Sequence, residues 1–254
     1  MTSLLKEARA VFFYEAQPKE FIACPVCQQE NTSDPHRDRW GFRIGGSSCT
    51  QCGLWYLNPR MTAQAYTRFY ANGTYRALVR LVPHRSLEQQ QTLRRLYGEL
   101  IAGMLRRQGW ASLRRVLDVG GANGAVMSGI RQHLPLSPKA VTIIDPSLMS
   151  LRQAQKQGYQ TIQGMAEALP VRGMFDGIIC VATLDHLLNP LAMFQQCRQL
   201  GMGWLWIDFV QAQRKIDHPL FWTERSFRVA CEKTGWQIQH TEKPIDKVHG
   251  FLCI

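Results

Sequence analysis

Residues 116–124 read Val116-Leu117-Asp118-Val119-Gly120-Gly121-Ala122-Asn123-Gly124, and the reading of this stretch decides how the chain is organised. Apolar residues flank Asp118 and run into a glycine cluster, after which Ala125-Val126-Met127 opens a helical pattern. The order is buried strand, tight turn, helix N-terminus. Glycine suits such a turn because the chain reverses sharply and a ligand there must approach bare backbone. Taken alone, the turn serves equally well as a plain β-to-α connection. Two features weigh against that reading. A strand over Val141–Ile144 ends in Asp145 about twenty residues on, where a carboxylate can hold a ribose diol. Another apolar strand, Phe175-Asp-Gly-Ile-Ile-Cys-Val181, leads into Thr183-Leu-Asp-His186.

On these residues the stretch from Val116 to Pro190 resembles a class I S-adenosylmethionine-dependent methyltransferase. The family pattern Asp-x-Gly-x-Gly-x-Gly stands here as Asp118, Gly120, Ala122 and Gly124, with alanine at the middle glycine. Leu184-Asp185-His186-Leu187 is similar to the family's Leu-Glu-His-Leu block, and Gly164-Met-Ala-Glu-Ala-Leu-Pro170 to its Gly-Asp-Ala-Glu-x-Leu-Pro block. Met165 replaces the Asp that usually contacts adenine. The resemblance implies an α/β fold, a Rossmann-like seven-stranded methyltransferase sheet, with a small N-terminal zinc-ribbon lobe added here.

A chain of 254 residues can hold one full α/β domain and a small appendage. No stretch approaches the roughly 18 consecutive apolar residues of a membrane span. The first ten residues lack the apolar run of a signal peptide. The expectation is a cytoplasmic protein without a membrane span. The net charge is +11, and residues 1–110 hold 15 Lys/Arg against 8 Asp/Glu. This excess suggests an anionic substrate: a nucleotide-linked metabolite, a phosphorylated glycan or RNA. Charge kept for solubility is the plainer explanation, and the basic residues are too scattered for a nucleic-acid tail.

Leu4, Leu5, Ala8, Val11 and Phe12 have helical spacing, giving an N-terminal helix within residues 1–20. Residues 21–60 then carry Cys24-Pro-Val-Cys27 and Cys49-Thr-Gln-Cys52, two Cys-x-x-Cys pairs separated by 21 residues. That spacing predicts a four-cysteine zinc ribbon, with Cys24, Cys27, Cys49 and Cys52 as ligands of one structural Zn²⁺ whose closed shell leaves no catalytic position. A disulfide is a poor reading in a reducing compartment, and neither pair opens a βαβ unit as a thioredoxin-like motif would. Cys180, Cys197, Cys231 and Cys253 stand singly in apolar contexts and read as buried small hydrophobes. His36 and His84 read as loop residues.

The ribbon runs on into Leu54-Trp-Tyr-Leu-Asn-Pro-Arg60, followed by Tyr66, Phe69, Tyr70 and Tyr75. This join resembles a bacterial methyltransferase subgroup, many members of which are associated with sugar, surface-polysaccharide or secondary-metabolite assembly. Arg60 and the tyrosines could line a substrate entrance or simply pack the ribbon against the domain. Residues 61–110 form a helical linker, with a long helix from an N-cap at Ser86 to about Arg107. Residues 111–254 form the methyl-donor domain. Strands over 115–119, 140–145, 159–163, 175–181 and 203–209 alternate there with helices over 124–133, 147–157 and 190–200. A helix over 227–234 and two closing strands follow, and Asp217-His218-Pro219 resembles a tail segment of the subgroup.

Alternation at these lengths implies a parallel sheet with right-handed crossovers and a ligand beyond the carboxyl ends of its strands. The residues assigned to the cofactor S-adenosyl-L-methionine are Asp118, Gly120, Gly121, Ala122, Asn123, Gly124, Asp145, Pro146, Met165, Ala166, Glu167, Thr183 and Leu184. Asp118 would anchor the methionine ammonium, Asp145 both ribose hydroxyls, and main chain near Ala166–Glu167 the adenine. His186 and His218 are the candidate bases, since imidazole titrates near neutrality, and either could equally make a structural hydrogen bond. Asp185 reads as scaffold. The expected acceptor is a small molecule, a sugar, nucleotide-linked or surface-polysaccharide metabolite. The alternative is rRNA or tRNA held through the ribbon and basic surface, and a silent binding protein is a third reading.

Overall fold

The computed structural model describes residues 12–37, 43–71, 86–210, 216–243 and 247–254. The first turns of the expected N-terminal helix, Tyr75 and His84 lie outside these residues. Residues 12–16 are helical. The N-terminal lobe is built from short strands: β1 (Lys19–Glu20), β2 (Asp34–Arg37), β3 (Arg43–Ser48), β4 (Trp55–Leu57) and β5 (Arg60–Met61). His36 is not in a loop: it lies on β2, edge-on to Trp55 at 5.2 Å, and accepts from the Trp55 indole Nε1 at 3.3 Å. Helix α1 (Ala63–Ala71) follows and buries Ala65, Tyr66, Phe69 and Tyr70 in an aromatic cluster with Tyr14, Trp55 and Leu57.

Helix α2 (Leu87–Arg107) opens on a reciprocal capping box, with the Ser86 hydroxyl accepting from Gln89 N and the Gln89 side chain from Ser86 N. Such a cap satisfies two of the amide donors that a helix start leaves open, typically worth about 1 kcal/mol. The α/β core follows: β6 (Val116–Val119), α3 (Ala125–His133), β7 (Val141–Asp145), α4 (Leu148–Lys156), β8 (Gln160–Gln163), β9 (Phe175–Cys180), α5 (Pro190–Leu200) and β10 (Gly201–Val210). The chain closes with β11 (Leu220–Phe221), α6 (Glu224–Thr234), β12 (Ile238–Glu242) and β13 (Val248–Cys253).

Seven strands form one sheet in the order β12-β13-β10-β9-β6-β7-β8. Strands β8, β7, β6, β9 and β10 are parallel, and β13 lies antiparallel between β10 and β12. The central strands carry apolar side chains on both faces, as a sheet covered on both sides requires. On one face Leu117, Ile178, Leu205 and Phe251 pack against α5 and α6. On the other, Val116, Ile143, Ile179 and Trp204 pack under α2, α3 and α4. Helices α2 and α3 touch through glycine: a Cβ on Gly98 would fall 2.0 Å from the Val126 carbonyl oxygen, and one on Gly129 1.9 Å from that of Arg95. Without those two hydrogens-for-methyl positions, α2 could not lie close enough to reach over the sheet edge.

The lobe is fused to the core. Strand β11, from the tail, pairs antiparallel with β4, and Cys24, Cys49, Cys52, Leu54 and Tyr56 share one apolar cluster with Phe194, Trp222 and Phe227. No helix among the described residues is long and apolar enough to cross a membrane.

Candidate functional site

The strand order reverses between β6 and β9, so the helices that follow these strands diverge and leave a crevice beyond their carboxyl ends. The cleft at this switch point has two connected halves that share Arg94, Gly120, Val181 and Ala182. One half is bounded by Asp145, Pro146, Ser147, Met165, Ala166, Glu167, Thr183, His186 and Tyr70. The other is bounded by Asp118, Gly121, Ala125, Tyr97 and Asp208.

The turn after β6 is shaped by what surrounds it. Gly120 has φ +74°, and a Cβ there would fall 2.1 Å from Thr183 Oγ1; a Cβ on Gly121 would fall 2.2 Å from Asp118 Oδ2. Ala122 also has a positive φ, 50°, at the position where the Gly-x-Gly-x-Gly pattern has its middle glycine. The methyl group costs about 1 kcal/mol there. Asp145 offsets this strain: its Oδ2 accepts from Ala122 N at 3.0 Å and its Oδ1 from Ser147 N at 2.8 Å. The carboxylate therefore ties the glycine turn to the N-terminus of α4 at a position that lines the cleft.

Asp118 is 1% exposed, and its Oδ2 has no hydrogen-bond partner among the described residues. Burial, with a smaller contribution from the Asp145 charge, pushes its carboxyl up to about 7, against the pull of Arg94. A buried carboxylate without a partner is costly, and the natural remedy is a cation that arrives with the ligand. Asp208 at the end of β10 is partnered instead. It accepts from Tyr97 Oη at 2.7 Å and from Ala182 N at 2.8 Å, and burial raises its carboxyl to about 6. These bonds pin α2 over the site and hold Ala182 at φ 49°.

His186 lines the cleft. Its Nδ1 is 3.0 Å from Tyr70 Oη and 2.9 Å from the Asp217 carbonyl oxygen. His218 is buried directly behind it, with ring centroids 4.4 Å apart and Nε2 3.7 Å from Asp217 Oδ2. The two candidate bases are thus neighbours, and only His186 borders the cleft. Asp185 is buried and accepts from Val210 N at 3.2 Å. Three residues assigned to the cofactor from sequence do not border the cleft. Leu184 is fully buried beneath Trp222, whose Nε1 donates to its carbonyl. Gly124 packs on Tyr159 at the start of α3, and the Asn123 carbonyl accepts from Gln157. Arg60 donates from Nε to Glu20 and from Nη1 to the Leu188 carbonyl, which makes it framework rather than entrance.

Arg94, Tyr97, Ser147 and Asp208 were not singled out from sequence. Arg94 is the one Lys or Arg side chain among the described lining residues of either half. Among the described residues, then, the basic excess of the first 110 positions does not gather in the cleft. A signal was present for α2, since Arg94 and Tyr97 sit three apart on a helix leading into the first core strand, but nothing local says which face meets the cleft.

The four cysteine sulfurs of the lobe lie within 4.8 Å of one another, with Cys24–Cys52 at 3.6 Å and Cys27–Cys49 at 3.2 Å. A tetrahedral ion with bonds of about 2.3 Å to sulfur needs sulfurs about 3.8 Å apart, so the donor set fits a metal. The two knuckles are built alike: Gln28 and Gly53, each just after the second cysteine of its pair, have φ 64° and 78°, and each N–H returns to the carbonyl of the first cysteine. The other four cysteines are buried singly in the core or, for Cys231 and Cys253, side by side.

A family profile for a methyltransferase domain matches residues 84–241. The chain is similar to the ubiquinone biosynthesis O-methyltransferase of Paraburkholderia xenovorans (strain LB400), 29% identical over 114 residues that cover 42% of this chain and 48% of that protein. Against the enzyme of the same name from Dechloromonas aromatica (strain RCB) it is 30% identical over 95 residues, 34% of this chain and 39% of that one. The chain spans about half the length of the curated relatives it matches. In three dimensions it is similar to magnesium protoporphyrin IX methyltransferase from Synechocystis PCC 6803 with bound SAH. The TM-score is 0.56 at 14% identity, covering 75% of this chain and 97% of the other. With its profile match over more than half its length and its seven-stranded sheet, the chain belongs to the methyltransferase-domain family and has the class I S-adenosylmethionine-dependent methyltransferase fold.

Proposed function

We propose that this chain binds S-adenosylmethionine in the cleft and catalyses methyl transfer to an oxygen of a small-molecule acceptor, a sugar, nucleotide-linked or surface-polysaccharide metabolite. The observation that carries the reading is the convergence of two buried carboxylates, Asp118 and Asp145, on one glycine turn, with a cleft-lining His186 across the switch point. Oxygen as the accepting atom is supported by the O-methyltransferase names of the curated relatives. The acceptor class rests on the resemblance of the cysteine lobe and its Asn-Pro-Arg join to the bacterial subgroup.

S-adenosylmethionine supplies a sulfonium methyl, already a strong electrophile with a good leaving group. What is left for the protein is to orient, to exclude water and to remove a proton. Asp118 would meet the donor's ammonium and Arg94 its carboxylate at the half of the cleft that both border. Asp145, which lines the cleft, would take the ribose hydroxyls, and the main chain at Met165–Glu167 would border the adenine. His186 would accept the proton of the acceptor hydroxyl, with His218 packed behind it. Cys24, Cys27, Cys49 and Cys52 would hold one structural zinc, whose four sulfurs leave no position open for catalysis.

The test is direct. Calorimetry should find one S-adenosylmethionine site per chain. Incubation with isotope-labelled donor and a whole cell extract, separated afterwards into small molecules and RNA, should yield a small-molecule product heavier by one labelled methyl. Donor binding with label appearing only in RNA would overturn the acceptor class, and absence of donor binding would overturn the whole reading.

A further inference from the structure

Three polar atoms from three distant parts of the chain meet at the edge of the cleft. Tyr70 comes from α1, His186 from the turn after β9, and Asp217 from the segment just before β11. Tyr70 Oη lies 3.0 Å from His186 Nδ1 and donates to the Asp217 carbonyl at 3.2 Å, while Nδ1 lies 2.9 Å from the same carbonyl. A carbonyl oxygen can only accept a hydrogen bond. An approach of 2.9 Å therefore places a proton on Nδ1, since two lone pairs at that distance would repel. The Tyr70 hydroxyl then turns its own proton to the carbonyl and offers its oxygen to the Nδ1 proton as a second acceptor. In this arrangement neutral His186 carries its lone pair on Nε2.

We propose that Tyr70 is a positioning residue for His186: together with the Asp217 carbonyl it holds the Nδ1–H tautomer and the ring orientation, so that Nε2 is the nitrogen that takes the acceptor's proton. The proposal rests on the reading of His186 as the base. In the step it serves, the acceptor O–H bond breaks, its proton moves to Nε2 and its electron pair forms the new oxygen–methyl bond. The methyl–sulfur bond of the donor breaks with its pair going to sulfur, and S-adenosylhomocysteine leaves as a neutral thioether. The imidazolium that results keeps its Nδ1 proton directed at the same two oxygens, the Tyr70 hydroxyl and the Asp217 carbonyl.

The hydroxyl can do this because its own position is held. Tyr70 is 8% exposed, stacked on Tyr66 at 6.1 Å and edge-on to Phe69 at 5.1 Å, inside the cluster that joins α1 to the cysteine lobe. Its ring also meets that of His186 edge-on at 5.7 Å. A helix that leads directly out of the lobe thus contributes a side chain to the catalytic half of the cleft. The lobe-to-core junction is part of the site rather than a tether for it.

The experiment uses the full chain with ¹⁵N-labelled histidine, as wild type, Tyr70→Phe and His186→Gln. Donor affinity by calorimetry serves as the control for an intact fold, and label transfer to the small-molecule fraction of a cell extract reads turnover. In the wild type, His186 should show a protonated Nδ1 and an unprotonated Nε2. Tyr70→Phe should mix the two tautomers and shift the titration of His186, with transfer lowered about five- to tenfold, the scale of one lost hydrogen bond, and donor affinity changed less than about twofold. A purely packing role for Tyr70 would leave the tautomer and the titration unmoved, and that result overturns the proposal. So does a wild-type spectrum with the proton on Nε2, which needs no variant to fold. His186→Gln separates the two claims: normal transfer by this variant refutes the base itself, and the tautomer spectra still decide what Tyr70 does.

Discussion

Replacing Asp118 by asparagine should make the protein more stable and a poorer binder of the methyl donor, with both effects controlled by pH. The carboxyl is buried, its Oδ2 lacks a partner among the described residues, and burial raises it to about 7. Its unfolded value is near 3.9, a shift of about three units or about 4 kcal/mol at most. The sign follows from proton binding. Between about pH 4 and pH 7 the folded state holds the proton more tightly than the unfolded chain, so stability falls as pH rises through that window and the full penalty applies above it. Asparagine removes the charge and keeps the shape, at the cost of a buried amide that is imperfectly bonded, about 1–3 kcal/mol. The net gain at pH 8 should be about 1–3 kcal/mol, an upward shift of several degrees in Tm at roughly 2–4 °C per kcal/mol for a chain this size.

Donor binding should respond in the opposite sense. If the ammonium of S-adenosylmethionine requires ionised Asp118, wild-type affinity should rise about tenfold from pH 6 to pH 8, with nearly one proton released per donor bound at pH 6. Asp118→Asn should lose about 1.5–3 kcal/mol of affinity at pH 8 and show no such pH dependence. Calorimetry in two buffers of different ionisation enthalpy measures both affinity and proton release, and thermal unfolding at pH 5 and pH 8 measures stability. A wild-type affinity flat between pH 6 and pH 8, or a variant less stable than wild type at pH 8, would refute the reasoning.

Two further outcomes are expected. Asp145→Ala should weaken donor binding by about 1.5–3 kcal/mol and should also loosen the turn, since Ala122 N and Ser147 N lose their acceptor; hydrogen exchange at those two amides checks the second effect, and unchanged affinity would remove Asp145 from the ribose. The protein prepared under reducing conditions should carry about one zinc per chain by elemental analysis. Cys49→Ser should lower zinc content and thermal stability together, because the cluster shares its apolar packing with α6 and Trp222; a metal-free, fully stable protein would contradict the assignment.

The elements of the seven-stranded α/β core were legible in the sequence because they are local. The runs at Val116–Val119, Val141–Asp145 and Phe175–Cys180 are apolar on both faces, and helix α5 begins at Pro190 and ends at Leu200, the limits its pattern predicts. The cysteine pairs were legible for the same reason: each knuckle is one turn, closed by hydrogen bonds over four residues. Spacing along the chain also brought Asp118, Asp145, Thr183 and His186 to one edge, since a parallel sheet with right-handed crossovers sends every strand end the same way.

What the sequence left open depends on contacts between residues far apart in it. Strand β11 completes the lobe's sheet by pairing Leu220 with Tyr56 and Phe221 with Trp55, a partnership of two-residue strands with no periodicity to detect. Arg94 and Tyr97 reach the cleft because Gly98 and Gly129 let α2 lie against α3 backbone to backbone, and a glycine inside a helical pattern does not announce what it touches. His186 and His218 looked like alternatives when read along the chain. Folding puts their rings 4.4 Å apart and gives only one of them the cleft. Sequence periodicity specifies which face of an element is buried; which buried faces meet, and which side chain stands in front, is decided only when the layers pack.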